Sequence, residues 1–151
     1  MILKHSKDIE IRFSEIDSMG VVWHGSYTLY FEDAREAFGQ KYGLGYMTFF
    51  ENGFTAPLVE LSMHYKQIIR YGMRPRVDII YRPTESAKIV FDYEIRDDND
   101  NSLIATAHSV QVFMDKDYQL VWDNPEFYMK WKQHWKVFED WHLLILLWFI
   151  V

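Results

Sequence analysis

The residues best equipped for chemistry lie in one short stretch, 12–35, which reads Arg-Phe-Ser-Glu-Ile-Asp-Ser-Met-Gly-Val-Val-Trp-His-Gly-Ser-Tyr-Thr-Leu-Tyr-Phe-Glu-Asp-Ala-Arg. Asp17 sits in a polar loop punctuated by Gly20, and Val21, Val22 and Trp23 supply an apolar wall directly after it. His24, Gly25 and Ser26 follow where a helix is expected to begin. The first turn of a helix carries backbone N–H groups without partners and the positive end of the dipole. A carboxylate facing such N–H groups beside an apolar wall can attack a carbonyl or activate water to do so, while the N–H groups hold the oxygen that gains charge. Thioesters suit so small a site, because a thiolate leaves readily and needs little acid assistance. Both an acyl-aspartyl intermediate and direct attack by water remain open.

Each of these residues also has an ordinary reading. Aspartate is common in glycine-containing turns and at helix caps, and Glu15, two residues earlier, is a competing carboxylate. His24 can act through its imidazole, through its N–H, or as an ordinary helix-start histidine. Tyr27 is close enough to the loop to serve both core and pocket. His64 and His108 fall in strand patterns and read as core or interface residues. Lys66, Arg70, Arg74 and Arg76 cluster around a turn, with Arg82 near, where they either meet phosphates or are simply solvated. The chain has no cysteine, which excludes thiolate nucleophiles and disulfides, and no paired-histidine spacing beside carboxylates marks a metal site.

The elements that must hold this stretch follow from periodicity. Tyr27, Tyr30, Phe31, Ala34, Ala37, Phe38 and Tyr42 recur at steps of three and four, giving an amphipathic helix over 25–42 with a broad aromatic face. Gly43 and Gly45 stop it, and 46–51 forms one more short helical piece. Alternation predicts a strand at Ile9, Ile11 and Phe13, and further strands over 59–65, 77–81, 89–95 and 104–114. Short turns between them predict an antiparallel, meander-like sheet. One long helix against one such sheet is an α+β arrangement.

The stretch resembles the signature of the 4-hydroxybenzoyl-CoA thioesterase family of hotdog-fold proteins, carried here by Asp17, Gly20, Val21, Val22, Trp23, His24, Tyr27, Ala34 and Arg35. The resemblance implies a long helix wrapped by a curved antiparallel sheet of about five strands, a homodimer joined edge to edge or a tetramer, and active sites at the subunit interface. It implies hydrolysis of an acyl-CoA, with CoA as part of the substrate and no separate cofactor. Asp17 would be the nucleophile or general base, and the His24 N–H would polarise the carbonyl while its imidazole orients the carboxylate or water. Gly20, Val22, Trp23 and Tyr27 would shape the substrate site, and Lys66, Arg70 and Arg74 are candidates for the CoA phosphates. The rivals are a thioesterase acting on acyl-carrier protein, a hotdog dehydratase, and a non-catalytic acyl-binding module. Dehydratases set a histidine, with a carboxylate on the facing helix, against the acyl chain, whereas here the carboxylate precedes the helix, which argues for hydrolysis.

At 151 residues, 49% of them hydrophobic and 18% aromatic, the chain fits one domain with a packed core. A formal net charge of -6 argues against nucleic-acid binding. The N-terminus has no apolar secretory region, so the chain reads as soluble and cytoplasmic. The expected division is a hotdog domain over 1–128 and an aromatic, apolar tail over 129–151, helical in part, with Trp131, Trp135, Phe138 and His142 at helical spacing. The apolar run over 142–151 is about half the length a membrane span needs. It reads as a helix against a partner subunit, a peripheral membrane contact, or a terminus foreign to the gene.

Overall fold

The aromatic spacing becomes α1 (Tyr27–Tyr42), which buries Tyr27, Tyr30, Phe31, Ala34, Phe38 and Gly39 and leaves Glu32, Asp33, Glu36 and Gln40 exposed. A 3-10 turn, His24–Ser26, leads into it. Gly43, at φ 75°, ends it in the left-handed conformation and donates its N–H to the Gly39 carbonyl, which is the usual way a glycine closes a helix. A β-carbon on Gly39 would lie 2.5 Å from Gly45 Cα, so the chain turns back tightly over the helix toward α2 (Tyr46–Glu51).

The computed structural model describes residues 2–137. Five long antiparallel strands, β1 (Lys4–Asp8), β2 (Leu58–Tyr65), β3 (Pro75–Arg82), β4 (Lys88–Asp97) and β5 (Leu103–Met114), lie in the order β1-β3-β4-β5-β2, and the short β6 (Leu120–Val121) pairs with the end of β5. The curved sheet wraps α1, the α+β hotdog arrangement. Val77, Ile79, Tyr81, Ile89, Phe91, Tyr93 and Ile95 face the helix and are buried. Phe31 meets Tyr93 at 4.8 Å and Phe38 meets Phe91 at 4.9 Å between ring centres. Each such ring contributes about 1.5–3 kcal/mol by leaving water. The opposite face is polar and carries ion pairs, among them Arg82–Asp92 and Arg96–Glu94.

Three expectations are corrected. The meander holds only for β3, β4 and β5; β2 pairs with the far side of β5, from Leu58↔Gln111 to Tyr65↔Ala105. The 66–74 connection is too long for a tight hairpin and carries the chain across the end of the sheet instead. The first strand is not at Ile9–Phe13 but at Lys4–Asp8, paired through its backbone with β3. Its side chains are polar and mostly exposed, as suits a sheet edge, so no alternation announces it. Ile9 and Ile11 do pack on the core, but Phe13 opens a 3-10 turn, Phe13–Glu15, and is 77% exposed. The expected division at residue 128 falls inside α3 (Glu126–Trp135), whose Tyr128, Trp131 and Lys132 are buried. Tyr128 and Trp131 belong to the same core as α1. Tyr81 Oη lies 2.7 Å from Tyr128 Oη, and the indole N–H groups of Trp131 and Trp135 both donate to the Tyr42 carbonyl, at 2.7 and 3.0 Å. Phe138, His142 and the apolar run over 142–151 lie outside the described residues.

Candidate active site

The loop that carries Asp17 is a small hairpin. The Asp17 N–H donates to the Val21 carbonyl at 2.9 Å, the Trp23 N–H to the Glu15 carbonyl at 2.8 Å, and Ile16 bridges Val22. Gly20, at φ 78°, makes the turn and returns its N–H to the Asp17 carbonyl at 3.0 Å. The second arm is locked to the 66–74 connection, with Val22 N–H donating to the Ile69 carbonyl at 2.8 Å and Val21 bridging Arg70. Val22 is buried in the core, so it anchors the arm from within, and Val21 and Trp23 are left to form the wall.

The Asp17 carboxyl is half-buried. Its Oδ1 accepts the Met19 N–H at 2.8 Å and lies 3.5 Å from the Val21 N–H; Oδ2 has no partner among the described residues. Glu15 is engaged differently: Oε1 accepts the Arg12 N–H at 2.8 Å, which fixes the preceding turn. At the helix start, neither the His24 nor the Gly25 N–H has an acceptor among the described residues, as the first groups of a helix do not. The Trp23 indole lies over Gly25, where a β-carbon would come within 2.3 Å of its ring; only glycine admits that approach with the indole in place. The exposed His24 ring lies 5.1 Å from the Trp23 ring and makes no hydrogen bond among the described residues. Tyr27 is buried, and burial, together with the neighbouring Tyr65 phenol, pushes its own phenol up to about 12. Burial and the neighbouring Glu15 carboxylate push the Tyr30 phenol up as well. Both therefore stay protonated at neutral pH.

Of the basic candidates, Arg70 is brought against the Asp17 hairpin; Lys66 and Arg74 are exposed on the same connection but do not touch it. Among the described residues none of these three side chains has an ion-pair partner, whereas Arg76 is tied to Asp78 and Asp98 at 3.1 and 3.0 Å. No group of three or more His, Asp or Glu side chains among the described residues is placed to hold a metal.

Two features carried no sequence signal. Tyr65, at the end of β2, donates its hydroxyl to the His24 carbonyl at 2.9 Å and packs on Tyr27 at 4.8 Å. A partly enclosed cleft of about 230 Å³ lies between α1, α2 and the start of β2, lined by Glu32, Arg35, Glu36, Thr55, Gln111 and apolar neighbours. Arg35 is held there by Glu32 and donates to Tyr93 Oη at 3.3 Å, which in turn bonds Ser109 Oγ at 2.8 Å. The cleft is not at Asp17: Glu32 lies eight residues past His24, about 12 Å along the helix. At the hairpin, by contrast, one carboxylate oxygen of Asp17 and the N–H groups of His24 and Gly25 are without partners among the described residues.

The fold is that of the hotdog thioesterases. The chain belongs to the thioesterase-like superfamily, whose family profile matches residues 11–132. It is 29% identical over 136 residues to the Bacillus subtilis protein YneP, a candidate acyl-CoA thioesterase, covering 90% of this chain and 91% of that one. A solved DHNA-CoA thioesterase from Staphylococcus aureus superposes with a TM-score of 0.79 at 27% identity, covering 89% of this chain and 90% of that one. The chloroplastic acyl-acyl carrier protein thioesterase ATL3 of Arabidopsis thaliana is 26% identical over 117 residues, 78% of this chain and 62% of that protein.

Proposed function

We propose that the protein hydrolyses an acyl-CoA thioester to the free carboxylic acid and CoA, with the cytoplasm as its compartment. Asp17 acts as nucleophile or general base, and the N–H groups at His24 and Gly25 hold the thioester carbonyl. The observation that carries this reading is a carboxylate with one free oxygen and a helix start with two free N–H groups on the same locked hairpin. Val21 lies opposite Asp17, and the step from Val21 to His24 covers about 10 Å of extended chain. A carbonyl attacked on one side and bonded on the other needs a similar gap: about 3 Å to its carbon, about 1.2 Å of C=O, about 3 Å to the donor, and the reach of the aspartate itself. Gly20 sets the turn, Val22 and Trp23 shape the wall, Tyr27 lines the acyl site, and the His24 imidazole orients the carboxylate or water. Lys66, Arg70 and Arg74 meet the phosphates of CoA.

The homodimer in this reading forms across β2, which has a strand neighbour on one side only and exposes Val59 and Tyr65. Two-fold antiparallel pairing sets the Tyr65 end of one copy, which touches His24 and Tyr27, beside the Leu58 end of the other, which leads out of the cleft. The Asp17 hairpin of one subunit then faces the acyl cleft of its partner. A dehydratase is less well supported, because Glu32 and Glu36 line the cleft but no histidine among the described residues joins them. The Arabidopsis relative keeps a carrier-protein substrate as the alternative.

The test is thiol release followed with a thiol-reactive dye, for CoA and carrier-protein thioesters in parallel. Asp17→Asn keeps an acceptor for the Met19 N–H, so the hairpin persists while the charge is lost. Its kcat should fall by at least about a hundredfold. Full activity in that variant removes Asp17 from the role.

A further inference from the structure

We propose that Tyr71 and Phe13, with Arg70 beside them, bind the adenosine end of coenzyme A; this rests on the thioester reading above, which already gives Arg70 to the phosphates, and adds the two rings, which neither the signature nor that reading includes. The connection between β2 and β3 makes a turn at 70–73, where the Met73 N–H donates to the Arg70 carbonyl at 3.1 Å and Gly72 takes φ 93°, the conformation that a type II turn reserves for glycine. That turn lifts Tyr71 into solvent, 62% exposed, against the edge of Phe13, 77% exposed. The rings meet at 6.0 Å and 89°. One exposed ring is ordinary. Two in contact, one of which, Tyr71, lines an open cleft of about 710 Å³ together with Ile68, Arg70, Asp97 and Asn99, offer a surface with the chemistry of a nucleotide site.

The position fits the substrate. Asp17 faces Val21, and Val21 bridges Arg70, so Arg70 stands two strand spacings, about 10 Å, from the reacting carboxylate. The Arg70 guanidinium has no ion-pair partner among the described residues, so it is open to a phosphate, which arginine grips through paired N–H groups. A purine stacks on aromatic faces whatever its sequence context, and the amino group and ring nitrogens of adenine match the side chains of Asn99 and Asp97. Asp97 Oδ1 already accepts the Asn99 N–H at 3.0 Å, which holds that edge in place. A substrate carried on a protein brings a phosphopantetheine arm but no adenosine. This face therefore selects CoA over acyl-carrier protein.

The experiment pairs a binding measurement with a substrate comparison. Adenosine 3′,5′-bisphosphate, the nucleotide end of CoA without its arm, is titrated calorimetrically into wild type, Tyr71→Ala and Phe13→Ala. Hydrolysis of one acyl group is then compared on CoA and on N-acetylcysteamine. Wild type should bind the bisphosphate, and each variant should bind it about tenfold more weakly. KM for the acyl-CoA should rise by a similar factor with kcat unchanged, the N-acetylcysteamine ester should be unaffected, and Tyr71→Phe should restore binding. No bisphosphate binding by wild type, equal losses on both esters, or dissociation of the variants to monomers would each overturn the proposal, the last by making the rings a subunit contact. An enzyme that cleaves neither ester fails the thioester reading instead, and the nucleotide titration still decides this one.

Discussion

Tyr65→Phe removes one oxygen, the one that donates to the His24 carbonyl at 2.9 Å. The carbonyl of His24 and the N–H of Gly25 belong to one planar peptide unit, so this hydroxyl fixes the orientation of an N–H proposed to bind the thioester oxygen. It also polarises that unit and strengthens its donor. A partly exposed neutral hydrogen bond contributes roughly 0.5–1.5 kcal/mol to stability, which for a chain of this length lowers Tm by about 2–4 °C per kcal/mol. If the same energy holds the peptide in register with the transition state, kcat falls by up to about tenfold and KM changes little. Tyr65→Leu also loses the ring contact with Tyr27 at 4.8 Å and should cost about 0.5–1.5 kcal/mol more. Thermal melts give the first quantity, and steady-state thiol release gives the second. Tyr65→Phe with normal kcat and a lowered Tm would refute the link to catalysis and leave a simple brace between β2 and α1.

Light scattering should show a dimer or a larger assembly, and a monomer with full activity would contradict a site completed across β2. Stability should also depend on pH through Asp92. Burial acts to raise its pKa, but bonds from His108 and Arg82 outweigh it and hold the carboxyl below its ordinary value of 3.8. A depressed folded pKa gives stabilisation that is present above the unfolded value and lost as pH falls through the folded one. The unfolding free energy of wild type, measured by urea denaturation, should therefore drop as pH is lowered below about 4, and Asp92→Asn should flatten that part of the curve. An unchanged slope in the variant would show that other carboxylates carry it.

The helix and the Asp17 loop were legible because their patterns are local. Aromatic residues at steps of three and four have one helical solution, and Asp17-x-x-Gly20 before an apolar run describes a turn that its own backbone bonds close. β1 was not legible, since Lys4–Asp8 pairs with β3 through main-chain groups that carry no side-chain pattern. The displacement of β2 to the far side of β5 was hidden for a related reason: alternation gives the faces of a strand but not its neighbours. Within the site, Asp17 and Gly20 could be placed on one loop in advance, with Trp23 in the wall that follows it. The burial of Val22 and the bond from Tyr65 depend on how two distant segments meet, which no spacing records. The Arg35–Tyr93–Ser109 chain was equally silent, because a serine on an inward strand position reads as a break in the apolar face rather than as a partner.

The two tryptophan N–H groups that converge on the Tyr42 carbonyl join the end of the first long helix to a segment 89 and 93 residues later. During synthesis on a ribosome, that carbonyl must stay hydrated until almost the whole described chain has emerged. A nascent chain halted before residue 131 would hold a nearly complete sheet around a helix that Gly43 has closed but whose Tyr42 carbonyl still faces water.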